Sequence, residues 1–183
     1  MKIPSNMLRA AMICQGNKDV RFYLNGVHIK NKYVEATNGH VAVRMTMEKS
    51  CRKDVIISIK SKIPAIAVST VFVLKGEMIA KHYDAFEQLI SVSVIELVDG
   101  RYPNIDNAIK KEIKPTDVIG VNPSYIALWP KMFKEKWSSA KMTFNGADGA
   151  IKITSTSEFI NHNYGSPIFV IMPTRLARTN YDN

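Results

Sequence analysis

Residues 33–43 read Tyr-Val-Glu-Ala-Thr-Asn-Gly-His-Val-Ala-Val, two stretches rich in strand-forming residues on either side of Asn38-Gly39. Asn-Gly is the dipeptide that best supplies the positive φ angles of a two-residue hairpin turn. The stretch therefore predicts a β-hairpin. The same dipeptide at Asn25-Gly26 predicts an earlier hairpin between residues 21–24 and 27–30, beside a short amphipathic helix over 6–14.

This pattern restarts twice along the chain. The second unit is predicted to contain strands over 55–59, 71–74, 78–82 and 89–98. For its apolar segment after Ile63-Pro64 the sequence does not distinguish a helix from a strand. In the third unit Asn122-Pro123 predicts the start of a helix that Pro130 should kink or end. Strands are predicted there over 118–121, 140–144, 150–155 and 168–172.

Three repeated units indicate an α+β protein with short helices packed on antiparallel sheets. Dividing 183 residues by three gives about 61 residues per unit. We expect a domain of two units over 1–100, a connector over 101–116 and a partial domain of one unit over 117–183.

The composition excludes several classes of protein. Hydrophobic residues make up 46% of the chain, enough for a core of ordinary size, and no apolar run is long enough to span a bilayer. The N-terminus lacks the apolar run of a secretory signal, and two cysteines supply no disulfide framework. We therefore expect a cytoplasmic protein.

Signatures of catalysis are poor. The four histidines have no cysteine or carboxylate partners at metal-ligand spacing, and the glycines at 146 and 149 lack the Lys-Ser/Thr of a phosphate loop. Ser58 and Ser61 have nearby lysines but no oxyanion-loop context. The sequence predicts no catalytic residue, no metal site and no cofactor, and the protein is not expected to be an enzyme.

The net charge is +9, from 25 Lys and Arg against 16 Asp and Glu. Basic residues recur around the predicted helix positions of the three units, and this recurrence favours one basic surface that attracts a polyanion without reading its sequence. The alternative is that these side chains are simply solvated. The candidate DNA-binding residues are Lys2, Arg9, Lys18, Lys60, Lys62, Lys131, Lys134 and Lys136.

Four short motifs resemble the bacterial sliding clamp, the β subunit of DNA polymerase III. Residues 36–40, Ala-Thr-Asn-Gly-His, resemble that family's Ala-Thr-Asp-Gly-His turn, and residues 99–104 resemble its Asp-Gly-x-Phe-Pro-Asp connector. Residues 119–125 are similar to its strand-to-helix segment, and residues 170–176 to its C-terminal Met-Pro-Met-Arg-Leu. The resemblance implies a DNA-clamp-like fold of repeated βαβββ units and a processivity factor for DNA replication.

The resemblance also implies a hydrophobic cleft that receives short peptides from DNA polymerases and other replication proteins. The residues that match the family's cleft are Thr37, Gly39, His40, Pro103, Val170, Met172, Pro173, Thr174, Arg175 and Leu176. A competing interpretation places Val170 and Met172 simply in the core. Val41-Ala42 and Thr174 depart from the family pattern, so we expect an altered peptide preference.

Length is the larger departure. Three units are half of the family's six, so a ring of twelve units would need four copies of this chain. The expected partners are therefore duplex DNA, a polymerase or another protein with a clamp-binding motif, and further copies of the chain. The abbreviated chain suggests a phage or other mobile element as its source. Two alternatives stay open: a decoy or adaptor that keeps the cleft without a ring, and an unrelated small basic nucleic-acid-binding domain.

Overall fold

The computed structural model describes residues 1–109, 113–135 and 139–176. Its strands are β1 (Lys2–Pro4), β2 (Val27–Thr37), β3 (Val41–Ile59), β4 (Ser69–Val73), β5 (Ile79–Tyr83), β6 (Leu89–Val98), β7 (Ala140–Thr143), β8 (Ile151–Ser155) and β9 (Ile168–Ile171). Its helices are α1 (Ser5–Cys14), α2 (Asp106–Ile109), α3 (Pro123–Ile126), α4 (Leu128–Phe133) and α5 (Glu158–Tyr164). The predicted α+β class is confirmed.

One antiparallel sheet runs through the molecule, because β3 is long enough to pair with three neighbours. The strand order is β1-β4-β5-β6-β3-β9-β8-β7, and β2 pairs with β3 off this path. The first residues of β3, Val41–Arg44, pair with β9, and its last residues, Ile56–Ile59, pair with β6. The chain after the connector therefore joins the same sheet as the chain before it.

The hairpin predicted at Asn38-Gly39 is confirmed. The side-chain Oδ1 of Asn38 accepts hydrogen bonds from the backbone N–H groups of His40 and Val41, at 2.9 and 3.0 Å. Gly39 has a φ of +90°, a conformation that costs glycine little because it has no Cβ. This turn sets the register in which Thr37 lies opposite Ala42.

The hairpin predicted at Asn25-Gly26 is wrong. A 3₁₀ turn occupies Phe22–Leu24, and Val27 begins the long strand β2. The Asn25 side chain does not support a hairpin turn, because it closes a loop with the backbone of Asp19, through hydrogen bonds of 2.9 and 2.8 Å. Gly26 is required by crowding, since a Cβ there would lie 3.0 Å from the Ile57 carbonyl oxygen.

The second unit has its predicted strands but no helix. Residues 55–59 are the end of β3, and the hairpin β4–β5 and the strand β6 are confirmed. Residues 60–68 form a loop, so the lysines at 60 and 62 do not precede a helix as predicted. Only Ile63 and Ala67 of this segment are buried, and two inward side chains cannot anchor a helix to the sheet.

A chain of buried hydrogen bonds lies beneath β4, β5 and β6, where the second unit lacks its helix. Thr70 Oγ1 is 2.8 Å from Ser5 Oγ and 2.9 Å from His82 Nδ1. His82 Nε2 is 2.7 Å from Ser93 Oγ, and Ser61 donates to the same oxygen at 2.7 Å. Burial lowers the pKa of His82, which favours its neutral form. This histidine is a satisfied core residue.

The break that Pro130 predicted in the helix of the third unit is confirmed, and two other features depart from prediction. The helix is split at Ala127, because Pro130 has no N–H and its ring clashes with the carbonyl of the residue four positions earlier. The strand predicted over 118–121 is reduced to one bridge between Gly120 and Thr174. Helix α5 was not predicted, although Ser157 accepts a capping hydrogen bond from Ile160 N–H at 3.3 Å.

The largest hydrophobic core contains residues from both sides of the predicted connector. Leu8 on α1, Phe133 on α4 and Phe169 on β9 all belong to it and are almost fully buried. Helix α1 has no fully exposed residue, since the sheet lies on one side of it and α4 on another. The predicted division at 1–100, 101–116 and 117–183 stays a prediction.

Candidate peptide cleft and basic surfaces

The Asn38-Gly39 turn and the end of β9 meet at one edge of the sheet. The backbone N–H of Met172 donates to the His40 carbonyl oxygen at 2.8 Å. The His40 ring stacks on Tyr125 of α3, with ring centroids 5.9 Å apart and planes inclined by 15°. The hairpin turn, β9 and α3 therefore form a common edge, and most of the residues predicted for the cleft lie along it.

The chain after β9 is held against residues that precede α3. Thr174 N–H donates to the Gly120 carbonyl oxygen at 2.9 Å, which closes the bridge between these two residues. A Cβ at Gly120 would lie 2.4 Å from the Thr174 carbonyl oxygen and 2.9 Å from Leu176 Cδ2. Only glycine allows this approach, which places Leu176 beside the segment leading to Tyr125.

The apolar surface along this edge comes from two side chains. Met172 is 37% exposed and Leu176 is 59% exposed, a large fraction for residues of their size. Pro173 between them is half-buried, and Thr174 and Arg175 are exposed. Exposed apolar side chains beside a stacked aromatic pair can grip an apolar side chain of a peptide.

Thr37 and Val170 have structural roles at this edge. Thr37 N–H donates to the hydroxyl oxygen of Tyr102 at 2.8 Å, and Thr37 Oγ1 accepts from Gly39 N–H at 3.0 Å. Thr37 Oγ1 also donates to the Val41 carbonyl oxygen at 2.6 Å, so the hydroxyl is engaged as donor and acceptor. Val170 is 2% exposed, as the core interpretation predicts for it, whereas Met172 is not buried.

Pro103 is exposed and lies on a different concave surface from Met172 and Leu176. It lines an open cavity of about 610 Å³, together with charged side chains of β2 and β3 and residues of the segment before α2. Its neighbour Tyr102 packs with Ala42 and Val170 in a second, smaller core. Tyr102 thus connects the two surfaces, and burial raises its pKa.

The cavity contains a charge network that sequence analysis did not find. His28 has Nδ1 2.9 Å from Glu35 Oε2 and Nε2 2.8 Å from Asp54 Oδ1. Arg44 binds the other oxygen of Glu35 and lies 2.6 Å from Asp106 Oδ1. Burial lowers the pKa of Arg44, but its hydrogen bonds to Asp106 and Glu35 outweigh that effect and raise it. The pairing of β2 with β3 brings His28, Glu35, Arg44 and Asp54 together, and Asp106 joins them from the start of α2.

Three further residues of the cleft edge were missed. Tyr125 and Gly120 belong to the motif at residues 119–125. The sequence did not show that Tyr125 stacks on His40 or that Gly120 lies against Thr174. Arg21 Nη2 donates to the Asn38 carbonyl oxygen at 3.3 Å and pairs with Asp19 at 2.8 Å. The hydrogen bonds from Arg21 lower the pKa of Asp19 to about 2.

Several of the basic residues predicted to bind DNA already have partners. Lys2 pairs with Glu87 at 3.1 Å, and Lys60 pairs with Glu96. Arg9 donates to two backbone carbonyl oxygens of the loop over 60–68, at 2.8 and 3.0 Å, and so holds that loop against α1.

Four of the remaining candidates form no ion pair among the residues that the structure describes. Lys18, Lys62, Lys131 and Lys134 are exposed, and Lys136 lies outside the described residues. One basic surface shared by the helices stays a prediction.

Residues 1–109, 113–135 and 139–176 contain no group of three or more His, Cys, Asp or Glu side chains arranged to hold a metal ion. Within the same ranges no helix is long and apolar enough to cross a membrane.

Known structures resemble this chain, although no protein-family model and no curated protein matches it. The DNA polymerase β subunit of Streptococcus pyogenes has a TM-score of 0.66 and 15% identity, over 96% of this chain and 66% of that chain. The DNA polymerase sliding clamp of Bacillus subtilis has a TM-score of 0.64 and 13% identity, over 97% and 64%. The DNA polymerase III β subunit of Pseudomonas aeruginosa has a TM-score of 0.59 and 13% identity, over 96% and 66%.

These matches define a class: the chain has the DNA-clamp fold. The structures that share it are bacterial sliding clamps, the β subunits of DNA polymerase III, so the resemblance predicted from four motifs is confirmed. At 13–15% identity the likeness is one of fold. The chain spans 64–66% of the length of these clamps, slightly under two thirds.

Proposed function

We propose that this protein is a clamp-like, non-enzymatic accessory factor of DNA replication. It holds duplex DNA without reading its sequence and docks a polymerase or another replication protein through a short peptide. The observation that carries the peptide function is the exposed pair Met172 and Leu176 beside the stacked rings of His40 and Tyr125. The clamp fold supports the assignment to replication.

The cleft is suited to an apolar peptide side chain because its polar backbone groups are already paired. The N–H of Met172 is bound to His40, and the N–H of Thr174 is bound to Gly120. A ligand therefore gains mainly by burying Met172 and Leu176. Fully burying one such side chain contributes about 1.5–3 kcal/mol.

The test replaces both apolar side chains, Met172→Ala and Leu176→Ala. We expect the affinity for a short peptide with adjacent Leu and Phe side chains to fall by about 100-fold, since about 3 kcal/mol of burial is lost. DNA affinity should stay at the parent value. The measurement is fluorescence anisotropy with a labelled peptide.

The chain offers a matched control for this test. Met142 and Leu89 are 41% and 53% exposed, similar to the cleft pair, and lie outside the cleft. Met142→Ala with Leu89→Ala should bind the peptide like the parent protein. If the cleft variant also binds like the parent, the cleft assignment is wrong.

A decoy or adaptor without a ring is the second candidate, and one observation favours it. Helix α1 has no fully exposed residue, and its single basic side chain, Arg9, is bound to backbone carbonyls. A surface of this kind contributes little charge toward DNA. The decoy would bind the peptide in the same test but show no affinity for duplex DNA.

The closed ring is a separate proposal, which concerns how copies of this chain assemble. With the three units per chain that the sequence predicts, four copies would supply the twelve units of a closed ring, and light scattering across micromolar concentrations should then give the mass of a tetramer. The mass of a monomer or a dimer throughout that range would count against the ring and leave the cleft untouched.

A further inference from the structure

The ribbon of β2 and β3 protrudes halfway along its length. Lys30 lies opposite Asp54, Asn31 opposite Cys51 and Tyr33 opposite Thr46, so β3 advances by three and then five residues where β2 advances by one and then two. Asn31 has a φ of +53°, a left-handed conformation that Asn tolerates better than most residues. The surplus residues of β3 form a bulge that is pushed outward from the ribbon.

Positive charge is concentrated on this bulge, which we call the β2–β3 ridge. It carries four exposed cations: Lys32, Lys49, Arg52 and Lys53. Cross-strand pairing brings the residues around 31 to those around 51, so the four residues lie close together in the ribbon. Glu48 is the one acidic residue within 46–53.

The four ridge cations are uncompensated. Among the described residues, none of them forms an ion pair. The adjacent acid, Asp54, is bound by Lys30 at 2.8 Å and by His28, and these hydrogen bonds lower its pKa. The ridge thus differs from the predicted DNA-binding residues Lys2 and Lys60, which have acidic partners.

The chemistry of the ridge fits a phosphate backbone better than a peptide or a membrane. No large apolar side chain is exposed at 30–32 or 46–54, within the described residues, so nothing there would enter a lipid layer or a peptide pocket. The span from Lys49 to Lys53 is at most about 13 Å in an extended strand. Duplex DNA carries one charge per about 1.7 Å of axis, so about eight phosphates of its two strands lie along a span of this length.

We infer that the β2–β3 ridge is a contact surface for the phosphate backbone of duplex DNA. This inference rests on the DNA-binding part of the proposed function but places the contact on the strand ribbon, away from the helix-associated lysines. The contact is electrostatic, so it positions the protein without reading sequence. Its signature is a steep dependence of affinity on salt.

The test measures anisotropy of a labelled linear duplex of mixed sequence between 50 and 200 mM salt. The ridge variant carries K32Q, K49Q, R52Q and K53Q. We expect its affinity to fall at least about 50-fold at 100 mM salt, and its slope of log K against log salt to become shallower by about 3 to 4. An unchanged slope and affinity would overturn the inference.

Two matched variants accompany this measurement. The first conserves charge with K32R, K49R, R52K and K53R, and should bind like the parent because phosphate contacts require charge and not a particular side chain. The second neutralises the exposed lysines of the original prediction, with K18Q, K62Q, K131Q and K134Q, and should lose much less affinity than the ridge variant. If the second variant loses more, the ridge is not the main contact. Circular dichroism and thermal melting check that each variant is folded.

Further outcomes separate this inference from the proposed function. A parent protein that prefers the single strand of the same sequence by tenfold or more would overturn the duplex assignment of the ridge. Failure of the parent to bind any linear duplex would overturn both the ridge and the DNA-binding part of the proposed function, whereas parental binding by the ridge variant overturns the ridge alone. The peptide test does not involve DNA, so the cleft can stand or fall independently.

Discussion

The peptide cleft and the β2–β3 ridge are the two surfaces for which we propose a binding partner. They differ in which kind of side chain they expose to solvent. At the cleft the backbone groups are bonded, and apolar side chains of Met172 and Leu176 are exposed. At the ridge no large apolar side chain is exposed, and cations such as Arg52 form no ion pair with any residue that the structure describes. The cleft should therefore bind by burial of apolar area, and the ridge by release of counterions.

Salt concentration should separate the two surfaces by the largest margin. Four phosphate contacts give a slope of about −3.6, so raising salt from 50 to 200 mM should weaken duplex binding by about 150-fold. Peptide binding over the same range should change by less than about twofold, because apolar burial is not screened. Parallel titrations of both ligands measure this difference. Equal salt dependence for peptide and DNA would mean that both use the same charged surface.

Gly120→Ala should damage the cleft and spare the ridge. The new Cβ would lie 2.4 Å from the Thr174 carbonyl oxygen, so the bridge must open and displace Leu176. Overpacking of this kind costs about 1–3 kcal/mol, and we expect peptide affinity to fall by about tenfold. Gly76→Ala is the control, since its φ of +80° strains the turn between β4 and β5, which lies on the other side of β3 from β9. A Gly120→Ala protein with parental peptide affinity would show that the bridge does not shape the cleft.

Tyr125→Ala should give a smaller loss at the cleft. It removes the ring that stacks on His40, an interaction of about 0.5–1.5 kcal/mol, so peptide affinity should fall by about fivefold. Tyr125→Phe keeps the ring and should bind the peptide like the parent. If the Phe variant loses as much as the Ala variant, the hydroxyl group and not the stacking carries the effect.

The two Asn-Gly dipeptides show how much of the fold the sequence can predict. At Asn38-Gly39 local chemistry and the strand pairing agree, and the hairpin forms as predicted. At Asn25-Gly26 no hairpin forms. The Asn25 side chain bonds to the backbone of Asp19, and Gly26 packs closely against Ile57 of β3. The local signal was identical, and tertiary packing decided the outcome.

The strands of the second unit were predictable, and the loss of its helix was not. The run of β-branched residues in β6 gives its bounds directly. Residues 60–68 form a loop because few of their side chains reach the core and because Arg9 binds their carbonyl groups. Arg9 is more than 50 residues away from this loop in sequence, so no local sequence pattern predicts the contact.

Only those residues of the candidate site that belong to a recognised family motif could be predicted from the sequence. The short motifs placed Met172 and Leu176 at the cleft, but Tyr125 acquired its role through stacking on a distant hairpin turn. The β2–β3 ridge could not be predicted from the sequence, for a different reason. Lys32 is separated in sequence from the other three cations, and the register shifts that bring it to them depend on the pairing of β2 with β3.

Retention on circular DNA tests the central claim, that this chain works as a clamp, most directly. The protein is loaded on a closed circular duplex and on the same duplex after linearisation, and the bound fraction is followed by gel filtration at elevated salt. We predict that it stays on the circle and is lost from the linear molecule, because a ring can slide off free ends. Equal loss from both DNAs would contradict the clamp and leave a basic DNA-binding protein with a peptide cleft.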